Sequence, residues 1–371
     1  MDKLPIKIAF NIFSRLPIKS LLRSRCVSKP WCNIIDDPSL ASLHLTRTVE
    51  DHTILVLDCP THKKNATSLH LEVDSKKNMK ASKNPIAELS DLNHYSLEGS
   101  CNGLLYFAKR NDQGGVIVLN PLTKQSTALP PATSHSPWPH MKKYGLGFDY
   151  RTNTYKIVHV FFRELSDWTS YSLGVEVHTL GTSSWREIGE IPPYPICGRP
   201  VFAQSALHWI VDPLFACDNL RGMIVSFDIE EEVFGSTPHP DFGWKTCDMF
   251  HLVDLRGFLA MVDLSSNRCI EIWVLKDYDK KEWVREYRIN ISAPMGRPDN
   301  GNFKVVGPRE DGEILLSYNE EYFCYNPKTD KFWYIQTPGL IPDHASTSQY
   351  RHLEVYSHRG SLVSCSRIMA V

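Results

Sequence analysis

Apolar side chains in the first 45 residues recur at the spacing of an amphipathic helix. Leu4, Ile8, Ile12 and Leu16 stand four residues apart, so they fall on one side of a helix. Pro5 lies in the first turn of this segment, where a helix loses no backbone donor to proline. The pattern therefore predicts a first short helix with one apolar side.

Proline divides the next part of the chain into further short helices. Pro17 ends the first helix and begins a second, which carries Leu21 and Leu22. A third stretch presents Val27 and Trp31 at helical spacing. We predict a unit of three short helices.

A capping pattern comes directly after this unit. The sequence Asp-Pro-Ser at 37–39 is typical of an N-cap followed by a helix-starting proline, and it leads into Leu40 and Leu43. A segment this short cannot bury so much apolar surface internally. We therefore expect it to need a partner.

From about residue 95 the pattern changes to short apolar strands separated by polar turns. A strand, a turn containing Asn or Asp, and a strand with an aromatic residue recur imperfectly, for example at 117–124, 147–158 and 323–333. A propeller uses roughly 40–50 residues for each four-stranded blade, so residues 95–371 could supply about six blades. A closed ring also removes exposed sheet edges. Because the repeats are degenerate, an irregular β-sandwich is the alternative.

The chain is therefore predicted to be mainly β, with a small N-terminal α domain. We assign residues 1–45 to the helices, 46–94 to a linker with a first strand, and 95–371 to the β domain. The linker is rich in lysine, which we interpret as a solvated loop.

Charge and cysteine spacing exclude several functional classes. The formal net charge of the 371 residues is −1, which gives no reason to expect binding to nucleic acid or to an anionic membrane. The ten cysteines form no C-x-x-C pair, so neither a zinc site nor a redox motif is indicated. No stretch has the roughly 18 consecutive apolar residues of a membrane span, and the N-terminus lacks the apolar core of a signal peptide. We expect a cytoplasmic or nuclear protein.

The sequence contains no recognisable catalytic motif. Gly114-Gly115 lacks the lysine of a phosphate-binding loop, and there is no G-x-S-x-G elbow. His135 and His140 lie in a proline-rich segment, without a carboxylate or cysteine nearby. We therefore predict no catalytic residue, no metal and no cofactor.

Two tryptophans are candidates for binding a target. Trp138 and Trp168 fall in predicted loops, whereas most aromatic residues fall at strand positions. Aromatic side chains exposed on loops make effective binding anchors. We name both as candidate substrate-binding residues.

Two sets of motifs resemble a known family. The N-terminal segment, with Leu-Pro at 4–5, SRLPIKSLLRSRCVSKPW at 14–31 and DPS at 37–39, resembles the F-box, the adaptor-binding module of cullin-type ubiquitin ligases. Lys7 and Ser24 stand where an acidic and an aromatic residue are usual.

The downstream motifs resemble the plant F-box-associated, kelch-like domain. They are SCNGLLYF, LNPLTKQ, GLGFDYRTNTYKIV and VHTLGTSSWREI, all within residues 100–188. Proteins with this layout include pollen S-locus F-box proteins and F-box regulators of immune-receptor abundance.

The resemblance implies a non-catalytic subunit that recruits a target protein to a ubiquitin ligase for degradation. Its helices would bind a Skp-type adaptor, and through it a cullin, while loops on one face of the β domain would hold the target. The residues expected to contact the adaptor are Leu4, Pro5, Ile8, Ile12, Leu16, Pro17, Leu21, Leu22, Val27 and Trp31.

Two other functions remain open. One is an F-box protein that senses a small molecule or glycan in its propeller. A central pocket lined by Trp, Arg and Asn would favour this function, and a filled centre would argue against it. The other is a propeller enzyme that carries an adaptor-binding tail.

Overall fold

A computed structural model describes the fold of most of the chain. The residues it describes are 5–47, 52–60, 67–73, 80–81, 87–89, 95–109, 115–134, 137–138, 141–166, 170–215, 223–240, 249–266, 268–291, 303–309, 312–319, 321–335 and 351–363. All structural statements below concern these residues.

The three predicted helices are present, and a fourth comes after them. They are α1 Ile6–Phe13, α2 Ile18–Arg25, α3 Lys29–Ile35 and α4 Pro38–Arg47. Pro5 and Pro17 stand immediately before α1 and α2, as the sequence predicted. Ser28 caps α3 by accepting a hydrogen bond from the Trp31 amide at 3.4 Å. Among the described helices, none is long and apolar enough to cross a membrane.

The helices share a small core that also involves Leu362 and Val363 from the C-terminal segment of the chain. Leu362 packs into this core, which contains Phe13, Leu21, Ile35, Leu40 and Ala41. The edge-on contact of Phe13 with Trp31, with ring centroids 5.1 Å apart, extends this core towards the surface. The helical unit is therefore completed by the C-terminal segment of its own chain.

The strands form a propeller of five four-stranded blades. Blade 1 contains β5 Tyr95–Cys101, β6 Leu104–Lys109, β7 Val116–Asn120 and β8 Gln125–Ala128. Blade 2 contains β9 Lys143–Asp149, β10 Thr154–Leu165, β11 Tyr171–Thr179 and β12 Arg186–Ile188. Blade 3 contains β13 Ile196–Ala203, β14 Ala206–Val211, β15 Ile224–Asp228 and β16 Phe234–Thr237. Blade 4 contains β17 Phe250–Leu255, β18 Phe258–Asp263, β19 Cys269–Asp277 and β20 Glu282–Asn290. Blade 5 contains β21 Phe303–Pro308, β22 Ile314–Tyr318, β23 Glu321–Asn326 and β24 Lys331–Ile335.

A sixth sheet, here called the closing sheet, joins both ends of the β region. It contains β1 His52–Pro60, β2 Thr67–Val73, β3 Lys80–Ala81, β4 Ala87–Leu89 and β25 Arg351–Arg359. β1 and β25 pair antiparallel from His52 opposite Arg359 to Pro60 opposite Arg351. This pairing closes the ring and leaves fewer free sheet edges.

The closing sheet begins before residue 95, where the sequence predicted the start of the β domain. Residues 46–94 were assigned to a linker with one strand, but the structure places four strands there, and they belong to the propeller. Residues 95–371 accordingly supply five complete blades and one strand of the closing sheet rather than about six blades. Local sequence patterns could not show this, because β1 pairs with a strand roughly 300 positions further along the chain.

The alternation of strands gives the propeller two different faces. The turn face carries short connections between the first and second strands and between the third and fourth, at 102–103, 121–124, 150–153, 180–185, 204–205, 229–233, 256–257, 278–281 and 327–330. The loop face carries the remaining connections within blades and the connections from one blade to the next. The predicted turn chemistry is present on the turn face. Asn120, Asp149, Asp228 and Asn326 each accept hydrogen bonds from backbone amides two and three residues ahead.

Two histidines of the propeller are expected to make its stability depend on pH. His208 Nε2 lies 3.1 Å from the Tyr278 hydroxyl, and His251 Nε2 lies 3.1 Å from the Val305 amide. Burial, which disfavours the imidazolium, lowers the pKa of each to about 4. The unfolded chain, with ordinary histidine pKa values, takes up these protons first as the pH falls.

We expect the free energy of unfolding to fall between pH 7 and pH 5 by about 2 kcal/mol for each of these histidines. Their stabilising contribution is present above the unfolded pKa of about 6.5 and is lost progressively towards about pH 4. Urea unfolding at the two pH values measures the change. His208→Gln and His251→Gln should each reduce this change by about 2 kcal/mol. An equal loss in all three proteins would contradict this assignment.

Candidate functional site: the exposed side of the helices and the propeller channel

One side of α1 carries apolar side chains that its own chain leaves uncovered. Pro5, Ile8 and Ile12 are all exposed, the two isoleucines at 46% and 47%. Their spacing of three and four residues puts them on the same side of the helix. We call these three residues the α1 stripe. A different side of α1 carries Phe13, which is buried in the helical core.

The other predicted adaptor contacts fall into distinct environments. Pro17 is exposed, and Val27 is 66% exposed just beyond α2. Leu16, Leu22 and Trp31 are partly buried and pack against the helical core. Leu4 lies outside the described residues.

Leu21 does not fit its predicted role. Its side chain is fully buried in the core between the helices, so it offers no surface to an adaptor. The sequence could not distinguish it from Leu22, because adjacent leucines on a short helix carry no signal of which one faces inward. The prediction also missed Ile6, which is 60% exposed on α1 but lies off the stripe.

An ion pair ties two of the helices together. The Arg25 guanidinium donates two hydrogen bonds to the carboxylate of Asp36, at 2.6 and 2.9 Å. The bond to Asp36 raises the pKa of Arg25. This two-pronged geometry fixes the end of α2 against the end of α3. The exposed apolar side chains are therefore presented by a preformed unit.

The helices sit on the turn face, fixed there by the segment after β25. Asn120 donates to the carbonyl oxygens of Ser361 and Val363, at 3.0 and 2.7 Å. Gly103 has φ +87°, and a Cβ there would lie 2.1 Å from the Cβ of Ser361. Glycine is therefore required for the segment to approach this closely.

Two further hydrogen bonds join α4 directly to the propeller. Arg359 donates to the Leu45 carbonyl oxygen at 2.9 Å, and Asn153 donates to the Ser42 hydroxyl at 2.8 Å. Leu45 also packs in the apolar core of the propeller. The helices and the β domain thus form one connected body across this face.

The loop face, on the far side from the helices, carries Trp138. This partly buried side chain lies in the connection from blade 1 to blade 2. Thr133 and Ser134, in the same connection, donate to the buried carboxylate of Glu176, Ser134 at 2.6 Å. Burial opposes ionisation of Glu176, but hydrogen bonds from His159, Ser134 and Thr133 outweigh it and hold its pKa at about 2. The loop carrying Trp138 is therefore anchored to blade 2. Trp168 lies outside the described residues.

A central channel of about 670 Å³ runs through the propeller. It is lined mainly by the first strands of blades 1, 3, 4 and 5 and by β25. Arg199 and Asn102 are among the lining side chains, whereas the described lining residues include no tryptophan. The centre of the propeller is therefore open, and the arginine and asparagine in its lining meet part of what a ligand-sensing role predicts.

Nothing in the described part of the chain forms a recognisable metal centre. Over those residues, no three His, Cys, Asp or Glu side chains lie close enough together to hold an ion.

Comparison with known protein families assigns a family to the helical part and to the β part of the chain. Residues 1–43 match the F-box domain family, and residues 44–359 match the family described as the F-box associated beta propeller domain. The second match begins close to the end of α4 and includes β1, in agreement with the closing sheet.

Two curated relatives align with this chain over most of their length. The Arabidopsis thaliana F-box protein At3g07870 is 29% identical, over 92% of this chain and 89% of the relative. The F-box protein CPR1 of the same plant is 27% identical, over 86% and 80%. Among solved structures, the periplasmic gluconolactonase PpgL of Pseudomonas aeruginosa superposes with a TM-score of 0.41 at 11% identity, over 77% of this chain and 82% of that one.

Proposed function

The chain belongs to the F-box proteins that carry an F-box associated beta propeller domain, and on that premise we propose that it is the substrate-recognition subunit of an SCF-type E3 ubiquitin ligase. The helices bind a Skp-type adaptor, the adaptor binds a cullin, and the propeller holds the target protein. No residue of this chain needs to react. Its contribution is to raise the concentration of target lysines near the activated ubiquitin.

The observation that carries the proposal is the uncovered α1 stripe. Ile8 and Ile12 are close to half exposed, although neighbouring apolar side chains of the same helices are buried. Complete burial of an exposed isoleucine side chain contributes about 1.5–3 kcal/mol, so an adaptor that covers these half-exposed side chains gains about half of that for each one. Pro17 and Val27 add further exposed apolar surface nearby in sequence.

The position of the helices supports separate binding sites, with the adaptor bound by the helices on the turn face and the target bound on the loop face. Among the described residues, the helices occupy the turn face and not the loop face, which favours the loop face as the side that binds a target. We propose that the target binds there, with Trp138 in an anchored loop as one contact and Trp168 as a second candidate. We place this activity in the cytoplasm or nucleus, where the sequence leads us to expect the protein.

A trapping experiment tests whether the chain recruits targets for degradation. Wild-type chain and the I8A/I12A variant are expressed in plant cells, and the proteins bound to each are quantified together with their abundance. A target should bind both proteins but accumulate only with the variant, since the variant no longer reaches the ligase. Proteins whose abundance is the same with both, and does not respond to proteasome inhibition, would contradict the proposal.

A further inference from the structure

Two cationic side chains converge on one aromatic ring inside the channel. Arg199, from blade 3, reaches the opposite side of the ring of blades and donates to the hydroxyl of Tyr356 on β25 at 2.9 Å. Its guanidinium carbon lies 5.7 Å from the centroid of the Tyr356 ring. Lys304, from blade 5, places its ammonium 5.9 Å from the same centroid. The two positive charges therefore share one neighbourhood.

Among the described residues, a carboxylate forms an ion pair with Arg199 but not with Lys304. Glu354 lies 3.3 Å from the Arg199 guanidinium and also accepts a hydrogen bond from Tyr356. Lys304 has no ion-pair partner among the described side chains. Desolvation, followed by repulsion from Arg199, lowers the pKa of Lys304, and the attraction of Glu354 only partly offsets these two effects. The repulsion between the two cations is thus left partly uncompensated.

The pair lies near the loop-face end of the channel, on the side away from the helices. The first strands of the blades begin on the loop face, and Lys304 is the second residue of its strand. The channel volume of about 670 Å³ lies within the range of small-molecule sites, roughly 300–1,000 Å³. Ser100 and Gln204 line the channel further in and offer polar groups for the rest of a ligand.

We infer that the channel is a binding site for a small organic anion, whose carboxylate or phosphate group lies between Lys304 and Arg199. An anion there relieves the repulsion between the two cations. The planar guanidinium of Arg199 suits the oxygens of either group, and Lys304 adds a point charge. The Tyr356 ring forms one wall beside the anionic group.

The test uses the full chain and three defined probes at constant ionic strength: inorganic phosphate, citrate and a glutamate-rich peptide. Isothermal titration and the midpoint of thermal unfolding report binding. We expect saturable binding of phosphate or citrate, and which of the two binds more tightly identifies the anionic group. Lys304→Met should weaken this binding at least tenfold, because it removes one charge without breaking an ion pair.

Lys328→Met is the matched control. Lys328 is an exposed lysine of the same blade, on the turn face, and its loss should leave anion binding unchanged. Absence of saturable binding by both small probes, equal binding by the Lys304→Met variant, or binding of the peptide alone would overturn the inference. Adaptor binding is expected to be the same in both lysine variants, so this proposal and the proposed ligase role can fail independently.

Discussion

Replacing Ile8 and Ile12 together with alanine is expected to weaken binding of a Skp-type adaptor by about 10- to 100-fold. The two side chains are 46% and 47% exposed, so the chain itself loses little packing when they are shortened. In the complex they form the centre of an apolar contact, where truncation of a side chain costs most. Isothermal titration of the purified chain with adaptor measures the effect. The midpoint of thermal unfolding should stay within a degree or two of wild type.

Ile191→Ala provides the matched control, because Ile191 is 49% exposed but lies on the propeller between blades 2 and 3. It should bind the adaptor like wild type. Leu16→Ala is a poorer probe, because Leu16 is partly buried and packs against the helical core. Adaptor affinity within about twofold of wild type in the I8A/I12A variant would rule out the α1 stripe as the contact.

Replacing Asn120 with alanine is expected to loosen the helices from the propeller and to destabilise the chain by about 2–4 kcal/mol. Asn120 is fully buried, and its amide is the donor to two carbonyl oxygens of the C-terminal segment. Without it, these acceptors lose their partner, and the segment that completes the helical core is no longer held. Urea unfolding measures the loss of stability. Hydrogen exchange in α4 should become faster, while the α1 stripe keeps its affinity for the adaptor.

Asn326→Ala separates this role from the shared turn chemistry. Asn326 begins the same Asn-Pro-x-Thr turn in blade 5 and accepts bonds from the Lys328 and Thr329 amides, as Asn120 does in blade 1. Asn326→Ala should lower the free energy of unfolding by only about 1 kcal/mol and leave hydrogen exchange in α4 unchanged. Similar effects of the two variants would mean that the bonds to Ser361 and Val363 contribute nothing to holding the helices.

Local patterns in the sequence predicted the elements of this fold well. Proline at 5 and 17 and the Asp-Pro-Ser sequence at 37–39 predicted where helices begin, and the recurring Asn and Asp residues predicted the turns of the turn face. Such signals are local, since a proline or a capping side chain acts within a few residues of itself. The family resemblance rests on the same short motifs.

What the sequence could not show depends on contacts between distant parts of the chain. The pairing of β1 with β25, the place of Leu362 in the helical core and the meeting of Arg199 with Tyr356 all join residues far apart in sequence. The burial of Leu21 was missed for a related reason, because which side of a short helix faces inward depends on what packs against it. Part of the candidate adaptor contact was therefore predictable, and the channel was not.

Co-expression of the full chain with a plant Skp-type adaptor, then affinity purification and size-exclusion chromatography, tests the central claim most directly. Point variants serve better here than removal of the helices, because Leu362 would lose its core if they were deleted. We predict an equimolar complex with the wild-type chain and none with the I8A/I12A variant. A well-folded chain that elutes without the adaptor at micromolar concentrations would contradict the proposed role in a ubiquitin ligase.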